Sequence, residues 1–580
     1  MAPLSADRDS TQLRSYRWFG KDDLRSFAHR QRLQQIGLDR SEFLGKPIVA
    51  ILNSWNGLST CHSHLRERAQ AVARGIRDAG GFPVEFPVLS LAEVMVKPTT
   101  MLYRNLLSME VEEVLRSHPF DSAVLLGGCD KTGPGMLMGV MSLDFPVIFV
   151  PAGPMMNGQW RGEKVGAGTH TRIFWDQYRS GAISQDEWIQ LESSMTRSAG
   201  TCNTMGTAST MALAIEALGL SLPGAAAIPA VDADHERMVS RSGRLAVDLA
   251  WEKRCPSHFV TRDSFLNAIA VICACGGSTN AVVHLIAMAR RMEIPLTIDD
   301  FDRVARKVPL LVNLMPAGEH LMADFFHAGG LPGLMTRITP HLKLSCKNIL
   351  GNTLESVVES SSATDPKVIR PIDEPVSTEP AIAVLRGNLA PTGAIIKPST
   401  FGAKFLQHTG PAVVFDGPQD YANRIDSPDL SVTEDSVLVL RGGGPIGAPG
   451  MPEWGNLAIP KKLLAIGVRD MLRLSDARMS GTHFGACVLH ITPEAAAGGP
   501  LAIVQTGDLI SIDFKNRRID VQVSEHEIAQ RRDASNVQPT AYPLGEGYTK
   551  LYQDRVNQAS EGCDFDFLVG RRRGDEPVIF

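Results

Sequence analysis

The sequence predicts an α/β protein in two parts: an N-terminal parallel-sheet α/β domain with a helical portion, and a C-terminal β-barrel-like domain. Two observations predict it. From residue 46 onward, short apolar runs alternate with helical patterns, as in βαβ units. Beyond about residue 382, short strand-like runs recur between glycine, proline and aspartate turns, which is typical of a barrel or sandwich. A chain of 580 residues is also too long for a single hydrophobic core.

Four apolar runs are expected to form the parallel strands of the first domain. They are PIVAIL at 47–52, GFPVEFPVL at 81–89, SAVLLGG at 122–128 and FPVIFV at 145–150. Between them we expect a helix with one apolar face, which ends at Gly80, and a second helix around 104–117. Helical patterns then dominate from about 203 to 340.

A segment rich in serine, proline and acidic residues, from about 355 to 382, is expected to link the two domains. We therefore assign residues 1–375 to the N-terminal domain and 376–580 to the C-terminal domain. The strand-like runs of the second domain are AVVFDG at 412–417, SVLVLRG at 436–442, LAIVQTGDLISIDF at 501–514 and RRIDVQVS at 517–524.

Composition and charge exclude several classes of protein. The formal net charge is −5, so no basic field indicates a nucleic-acid partner. No apolar run approaches the ~18 residues that suggest a membrane span. The first twenty residues lack the apolar core of a secretory signal, and Asp7 and Asp9 argue against a transit peptide. We expect a cytoplasmic protein, with its nine cysteines, which form no close-set framework, reduced rather than in disulfides.

Three cysteines, Cys61, Cys129 and Cys202, share one context, since each follows a loop and precedes a predicted helix. These helices are expected to begin near His62, near Gly135 and at 203. A helix N-terminus favours a thiolate, and loops at the carboxyl ends of parallel strands form a ligand crevice. The three thiols can therefore converge on a metal or cluster.

Other interpretations of the cysteines stay open at this point. The spacing includes no local CxxC, and buried inert thiols are compatible with it. Cys275, in CACGGSTN, has nearly the same context as the three and is not excluded by the residues alone.

A glycine-rich loop, GGCDKTGPG at 127–135, carries Asp130 and Lys131. Adjacent opposite charges commonly form a solvated pair, but the flanking glycines favour close approach of the backbone to a ligand. Carboxylates are suited to a hard cation such as Mg²⁺. Glu93 and Glu453 lie in similar loop positions, where each alone is compatible with an ordinary surface glutamate.

Two further loops stand out. RGGGPIGAPGMPEWG at 441–455 contains a formal G-x-G-x-x-G match, but its three prolines forbid the helix that a dinucleotide fingerprint must open. A rigid loop that carries Glu453 towards a site fits better. Ser480, in SDARMSGTHFG at 475–485, lacks the G-x-S-x-G elbow of hydrolases and by itself is an ordinary turn serine.

Six motifs together resemble a known enzyme family. They are STCHSHLRERAQAVARGI, GGCDKTGPGMLMG, GTCNTMGTASTM, CGGSTNAVVHLIA, GGGPIGAPGMPE and SDARMSGTHFG. In this order they resemble the family that includes dihydroxy-acid dehydratase, phosphogluconate dehydratase and the sugar-acid (pentonate) dehydratases. The segments GTCNTMGTAST, CDKTGPG and SDARMSGT are most similar to the sugar-acid branch.

The resemblance implies a hydro-lyase that uses an iron–sulfur cluster, expected to be 2Fe–2S in this branch, and Mg²⁺. It implies that Cys61, Cys129 and Cys202 bind the cluster and that Cys275 is a bystander. The implied Mg²⁺ ligands are Glu93, Asp130, Glu453 and a carbamylated Lys131. Ser480 is the implied catalytic base, and Thr482 is implied to bind substrate.

The expected reaction converts an aldonate, such as arabinonate or xylonate, to its 2-keto-3-deoxy acid by C2 proton abstraction and loss of the C3 hydroxyl. The alternative is the dihydroxy-acid dehydratase of branched-chain amino-acid synthesis. A rival of another class is a catalytically silent sugar-binding protein with a flavodoxin-like domain. The resemblance also implies a homodimer or homotetramer. The charge and composition predict no nucleic-acid or membrane partner.

Overall fold

A four-stranded parallel sheet forms the centre of the N-terminal part. The computed structural model of the protein describes residues 8–534, 545–570 and 576–579. The sheet strands are β1 (Ile48–Asn53), β2 (Phe82–Pro87), β3 (Ser122–Gly127) and β4 (Val147–Pro151). Their order is β2-β1-β3-β4, all parallel, as expected from the sequence. Because β1 lies between β2 and β3, the order reverses between β1 and β3, where an open α/β sheet forms its ligand crevice.

Helices surround this sheet and form most of the N-terminal part. The α-helices of the described residues are α1 (Tyr16–Phe19), α2 (Leu24–Gln35), α3 (Arg40–Phe43), α4 (Leu65–Asp78), α5 (Thr100–Ser117), α6 (Cys129–Leu143), α7 (Thr169–Arg179), α8 (Gln185–Met195), α9 (Thr207–Ala217), α10 (Ala233–Glu252), α11 (Arg262–Ala274), α12 (Asn280–Arg291), α13 (Ile298–Ala305), α14 (Met322–His327), α15 (Gly330–Arg337), α16 (Leu354–Glu359), α17 (Gly417–Arg424), α18 (Lys461–Ala465), α19 (Glu525–Ala534) and α20 (Gly547–Arg555). A short hairpin, β5 (Gly158–Trp160) and β6 (Glu163–Val165), precedes α7.

The apolar strands form one continuous core with these helices. Every residue of β1, β3 and β4 is buried, as expected of central strands covered on both faces. Helix α4 buries its apolar face against β1 and β2 and also packs on α10. Helix α6 contacts β3, β4 and α5. The predicted N-terminal α/β architecture, a parallel sheet with a helical portion, is therefore confirmed.

The C-terminal part contains a closed eight-stranded barrel, which confirms the β-barrel-like prediction. Its strands are β7 (Ala383–Gly387), β8 (Ala390–Ile396), β9 (Gln407–Asp416), β10 (Val437–Arg441), β11 (Arg473–Ser475), β12 (Cys487–Thr492), β13 (Leu509–Asp513) and β14 (Arg518–Val521). Their order around the barrel is β10-β11-β12-β8-β7-β14-β13-β9. The barrel encloses an apolar core of its own.

Residues 501–514, expected to form one strand, are divided into two parts in the structure. The first part is a buried 3₁₀ turn, Pro500–Ile503, and only Leu509–Asp513 joins the barrel. Gly507, at φ +99°, lies between them in a conformation that a strand does not use. Burial in a turn explains the apolar composition of the first part.

The segment at 355–382 has little regular structure after α16, yet it packs against the N-terminal part. Isolated bridges join Val312 to Ile369 and Leu310 to Ser377, and Ile369 is buried. The division into 1–375 and 376–580 stays a prediction. None of the helices in the described residues has the length and apolar character needed to span a membrane.

Candidate active site

The candidate residues of the N-terminal part lie at one edge of the sheet. Cys61 follows β1, Glu93 follows β2, and Cys129 follows β3. Because the strands are parallel, these loops all leave the sheet at the carboxyl edge. Cys61 and Cys129 thus lie on the two sides of the point where the strand order reverses.

The helices after these cysteines begin at other places than expected. Helix α6 begins at Cys129 itself and not near Gly135, whereas α4 begins at Leu65 and α9 at Thr207. Gly128 is fully extended and Cys129 adopts φ +60°, a left-handed conformation that is costly for a residue with a side chain. The chain therefore turns sharply at Cys129, which periodicity does not reveal.

The three predicted cysteine ligands are close together. The thiol of Cys129 is the largest influence that raises the pKa of Cys61 well above its ordinary value, followed by burial and then Cys202. Burial, Asp130 and Cys129 raise the pKa of Cys202 to about 12. Cys129 therefore disfavours ionisation of both Cys61 and Cys202, and a cationic group among the thiols would relieve this repulsion.

Cys275 does not join them. It caps the end of α11, is 1% exposed, and its Sγ donates to the Ile272 carbonyl at 3.6 Å. Burial raises its pKa to about 12, which is the behaviour of an inert buried thiol.

The four predicted Mg²⁺ ligands form one charged cluster. The ammonium of Lys131 is fully buried and lies 3.1 Å from Glu93 Oε2, 3.2 Å from Asp130 Oδ2 and 3.0 Å from Glu453 Oε1. Glu453 comes from the C-terminal part and the other three from the N-terminal part, so the cluster joins the two.

The pKa values show how strongly these charges interact. Burial and Arg478 oppose the charge on Lys131, but the three carboxylates outweigh them and raise its pKa. Burial would raise the pKa of Glu93, yet Lys131 and Arg478 lower it to about 2. Burial raises the pKa of Asp130 to about 6, with Lys131 opposing and the other two carboxylates adding to the rise. The cluster therefore holds more negative charge than one ammonium balances.

Two site residues were not identified from the sequence: Arg478 and Asn280. Arg478 Nη1 donates to Glu453 Oε1 at 3.0 Å, and Asn280 Nδ2 donates to the same oxygen at 2.9 Å. Arg478 Nη2 also donates to the hydroxyl of Thr99, which in turn donates to Glu93 Oε1 at 2.7 Å. Arg478 lies in the motif SDARMSGT and Asn280 in the motif GGSTN. Their positions in these motifs are the sequence signal that could have identified them.

The segment 475–485, here called the serine loop, carries Ser480 and Thr482 to the same place. Their hydroxyl oxygens are 3.0 Å apart. A side chain at Gly481 would lie 2.7 Å from the backbone nitrogen of Thr207, so the serine loop lies directly against the start of α9. Cys202 lies five residues before that start, which brings the predicted base and the thiols to one region.

The glycine-rich loop at 441–455 is held by the protein's own acids. Asp476 accepts from the backbone N–H of Gly443 at 2.8 Å, and Glu494 accepts from that of Gly447 at 2.9 Å. Gly450, at φ +87°, lies so close to α5 that a Cβ would approach the Leu102 nitrogen to 2.5 Å. The loop thus orients Glu453, and the N–H groups of Gly443 and Gly447 are not free for a phosphate.

The donor chemistry fits the expected cofactors in kind. The region contains grouped sulfur donors and grouped hard oxygen donors, the kinds that iron–sulfur clusters and Mg²⁺ require. In the part of the chain that the structure describes, no three His, Cys, Asp or Glu side chains are arranged around a single ion position. The ammonium of Lys131 instead occupies the space among the carboxylates.

Comparison with known protein families agrees with this geometry. The N-terminal dihydroxy-acid/6-phosphogluconate dehydratase model matches residues 46–357, and the corresponding C-terminal model matches residues 367–563. The chain belongs to this family. Dehydratases are hydro-lyases, so the predicted enzyme class is confirmed.

Similar curated proteins also carry dehydratase names. The chain is 56% identical to 6-deoxy-6-sulfo-D-gluconate dehydratase of Pseudomonas putida, over 98% of both chains. It is 46% identical to L-arabinonate dehydratase of Rhizobium leguminosarum bv. trifolii, over 97% of both. It is 37% identical to dihydroxy-acid dehydratase of Clostridium novyi, over 90% of this chain and 95% of the relative. The resemblance to the sugar-acid branch is confirmed.

Proposed function

We propose that the protein dehydrates a sugar acid, an aldonate such as arabinonate or xylonate, to its 2-keto-3-deoxy acid. The observation that carries the proposal is the convergence of three kinds of groups at one edge of the sheet. These are the grouped thiols, the lysine–carboxylate cluster and the Ser480–Thr482 hydroxyl pair. Such a site has ligands for two cofactors and a candidate base beside them.

Residues already close together would hold the cofactors. Cys61, Cys129 and Cys202 would bind an iron–sulfur cluster of the 2Fe–2S type, and three cysteines leave one iron coordination position open. When bound, the cluster and Mg²⁺ supply Lewis-acid chemistry towards substrate oxygens.

The metal site would form from Glu93, Asp130, Glu453 and Lys131. Carbamylation of Lys131 replaces an ammonium by an anionic group with oxygen donors, which removes the cation that now balances the three carboxylates. That change would leave a cluster of negative charge suited to a hard divalent ion.

The chain's own groups then divide the remaining work. Ser480, in its deprotonated alkoxide form, accepts the C2 proton and becomes a neutral hydroxyl, and its contact with the Thr482 hydroxyl keeps Oγ in place. Thr482 contacts the substrate. Arg478 and Asn280 hold the carboxylate of Glu453 in one orientation. Departure of the C3 hydroxyl leaves an enol that becomes the keto acid.

A dihydroxy-acid dehydratase is the second candidate, since that relative aligns over most of the chain. The higher identity to the two relatives named for sugar acids favours the first candidate. Protein purified anaerobically should be coloured and should dehydrate members of an aldonate panel. Turnover only of an aliphatic 2,3-dihydroxy acid would support the second candidate, and a colourless protein without turnover would support a sugar-binding module.

A further inference from the structure

Three arginine side chains lie close together where α7 packs against the barrel: Arg172, Arg179 and Arg473. Two of them have acidic partners. Arg179 donates to the two carboxylate oxygens of Asp426 at 2.8 and 2.9 Å. Arg473 is paired with Asp470. Their charges are therefore balanced within the protein.

Arg172 differs from its two neighbours. Among the described residues, its half-buried guanidinium is in no ion pair and donates no side-chain hydrogen bond. Asp176, one turn later on α7, acts on it from beyond ion-pair distance, as does Tyr421. Burial, together with the other two arginines, outweighs them and lowers the pKa of Arg172. Within the described residues, Arg172 is thus the one of these three arginines whose guanidinium no carboxylate reaches at ion-pair distance, which favours binding of an external anion.

The position of α7 brings this charge to the candidate active site. At its first residue, Thr169 Oγ1 donates to the Thr482 carbonyl of the serine loop at 2.8 Å. Arg172 follows three residues later, so it lies on the same face of α7 as Thr169. The start of helix α7 is therefore fastened directly to the serine loop.

His483, the next residue of the serine loop, connects the two regions. Its ring is close enough to both Arg172 and Glu453 for each to shift its pKa, which burial chiefly lowers to about 4. Ring nitrogen Nδ1 is buried and has no hydrogen-bond partner in the described part of the chain. Arg172 and His483, which lie near each other, thus each have a polar group without a partner, and His483 belongs to the same loop as the predicted base.

We propose that Arg172, assisted by His483, binds an anionic group at the end of the sugar acid opposite its carboxyl group. This rests on the proposed function and narrows its substrate class. The preferred substrate carries a sulfonate, phosphate or second carboxylate on its terminal carbon, where arabinonate and xylonate carry a hydroxyl. Each of these anions has several acceptor oxygens, which match the planar fork of donors on a guanidinium.

The test compares turnover of gluconate with that of 6-sulfogluconate, 6-phosphogluconate and glucarate by the holoenzyme. The parent should prefer at least one terminal anion. Arg172→Gln should lower kcat/KM for that substrate by about 10- to 100-fold, mainly through KM, as expected for a lost hydrogen bond to a charged group. Turnover of gluconate should fall much less, and Arg172→Lys should keep part of the preference. Arg197→Gln, on the exposed surface before the Cys202 loop, is the matched control and should change neither substrate.

Several outcomes would overturn the inference. One is a parent that uses gluconate as well as every terminal anion, and another is a preference that survives in Arg172→Gln. If Arg172 only balances Asp176, then Arg172→Gln and Asp176→Asn will both lower Tm and leave the substrate ratio unchanged. If Arg172→Gln is inactive on every substrate, the preference of Arg172→Lys for the terminal anion over gluconate decides. A partly reduced preference supports the inference, and a preference equal to that of the parent contradicts it. Absence of turnover of any aldonate by the parent would instead contradict the proposed function.

Discussion

At the scale of single residues, the clearest feature is that each predicted site residue has a neighbour that constrains it. Lys131 has three carboxylates around its ammonium, and Ser480 has the Thr482 hydroxyl. Cys129 has the Cys61 thiol beside it and holds a strained backbone conformation. Strain of this kind is retained where a side chain must point in one direction.

Cys129→Ser should therefore remove most of the iron and the visible absorption of the purified protein. A serine oxygen is a poor ligand for a cluster that cysteine thiolates hold. Iron analysis and absorbance measure the effect, with Cys275→Ser as the control that keeps its colour. Unchanged iron content in Cys129→Ser would contradict the assignment of the ligands.

Ser480→Ala should keep the cluster and lower kcat by about 10²- to 10⁴-fold, the usual contribution of general base catalysis. The variant lacks the acceptor for the C2 proton but retains the groups that bind substrate. Exchange of the C2 hydrogen with solvent is the direct measurement and should be lost. Ser511→Ala, on β13 of the same barrel, is the control. Near-parent turnover in Ser480→Ala with an intact cluster would place the base elsewhere.

At the scale of elements, the first turn of α6 carries Cys129, Asp130 and Lys131, and loops carry the other predicted site residues. The loop that carries Glu453 depends on two buried acids, Asp476 and Glu494. Burial, with Asp476 adding to it, raises the pKa of Glu494 to about 7, although its backbone partners oppose the rise.

This carboxyl predicts a pH effect on stability. Because the folded state holds the proton of Glu494 more tightly than the unfolded chain does, this group makes folding less favourable as pH rises from about 4.5 to about 7. The full penalty, at most about 3 kcal/mol, is present above that window. Glu494→Gln should thus gain stability relative to the parent between pH 5 and pH 8.

Thermal unfolding of the parent and Glu494→Gln at both pH values measures this gain. Glu525→Gln, at the exposed start of α19, is the control and should show no such trend. An equal difference in Tm between Glu494→Gln and the parent at pH 5 and pH 8 would show that Glu494 is not the titrating group.

The elements around the site also show how much of the structure could be predicted from the sequence. The alternation of apolar runs predicted the parallel sheet, and its topology placed Cys61 and Cys129 at one edge. The start of α6 at Cys129 could not be predicted, because it depends on a left-handed residue that carries no periodic signal. Arg478 and Asn280 could not be assigned, because their shared partner Glu453 lies far away in sequence from Asn280 and is positioned only by the folded loops.

At the scale of the whole molecule, the C-terminal segment returns to the N-terminal part and is fixed there. Arg291 of α12 and Asp564 are both fully buried, with donor–acceptor distances of 2.6 and 3.0 Å. Arg104 of α5 donates to the carbonyls of Gly562 and Cys563 nearby. The expected homodimer or homotetramer and the cytoplasmic location remain predictions.

Asp564→Ala should lower the free energy of unfolding by about 3 kcal/mol, because it leaves the charge of Arg291 buried without its main partner. Glu112, 3.6 Å from Arg291, compensates only in part. Denaturant unfolding measures the loss. Asp566→Ala is the matched control, since its pair with Arg555 is exposed and should contribute less than about 1 kcal/mol. Equal stabilities for the two variants would contradict the role given to the buried pair.

The contact between the serine loop and the start of α9 also has a consequence for the order of synthesis. Cys61, Cys129 and Cys202 all leave the ribosome before the barrel exists, and about 280 residues separate Cys202 from Ser480. At about 5–20 residues per second, roughly 15 to 55 seconds pass between synthesis of the last of these thiols and synthesis of the loop that carries Ser480. During that interval the growing chain is open to iron delivery and equally to oxidation, so oxygen exposure during translation should limit the yield of active enzyme more than exposure afterwards.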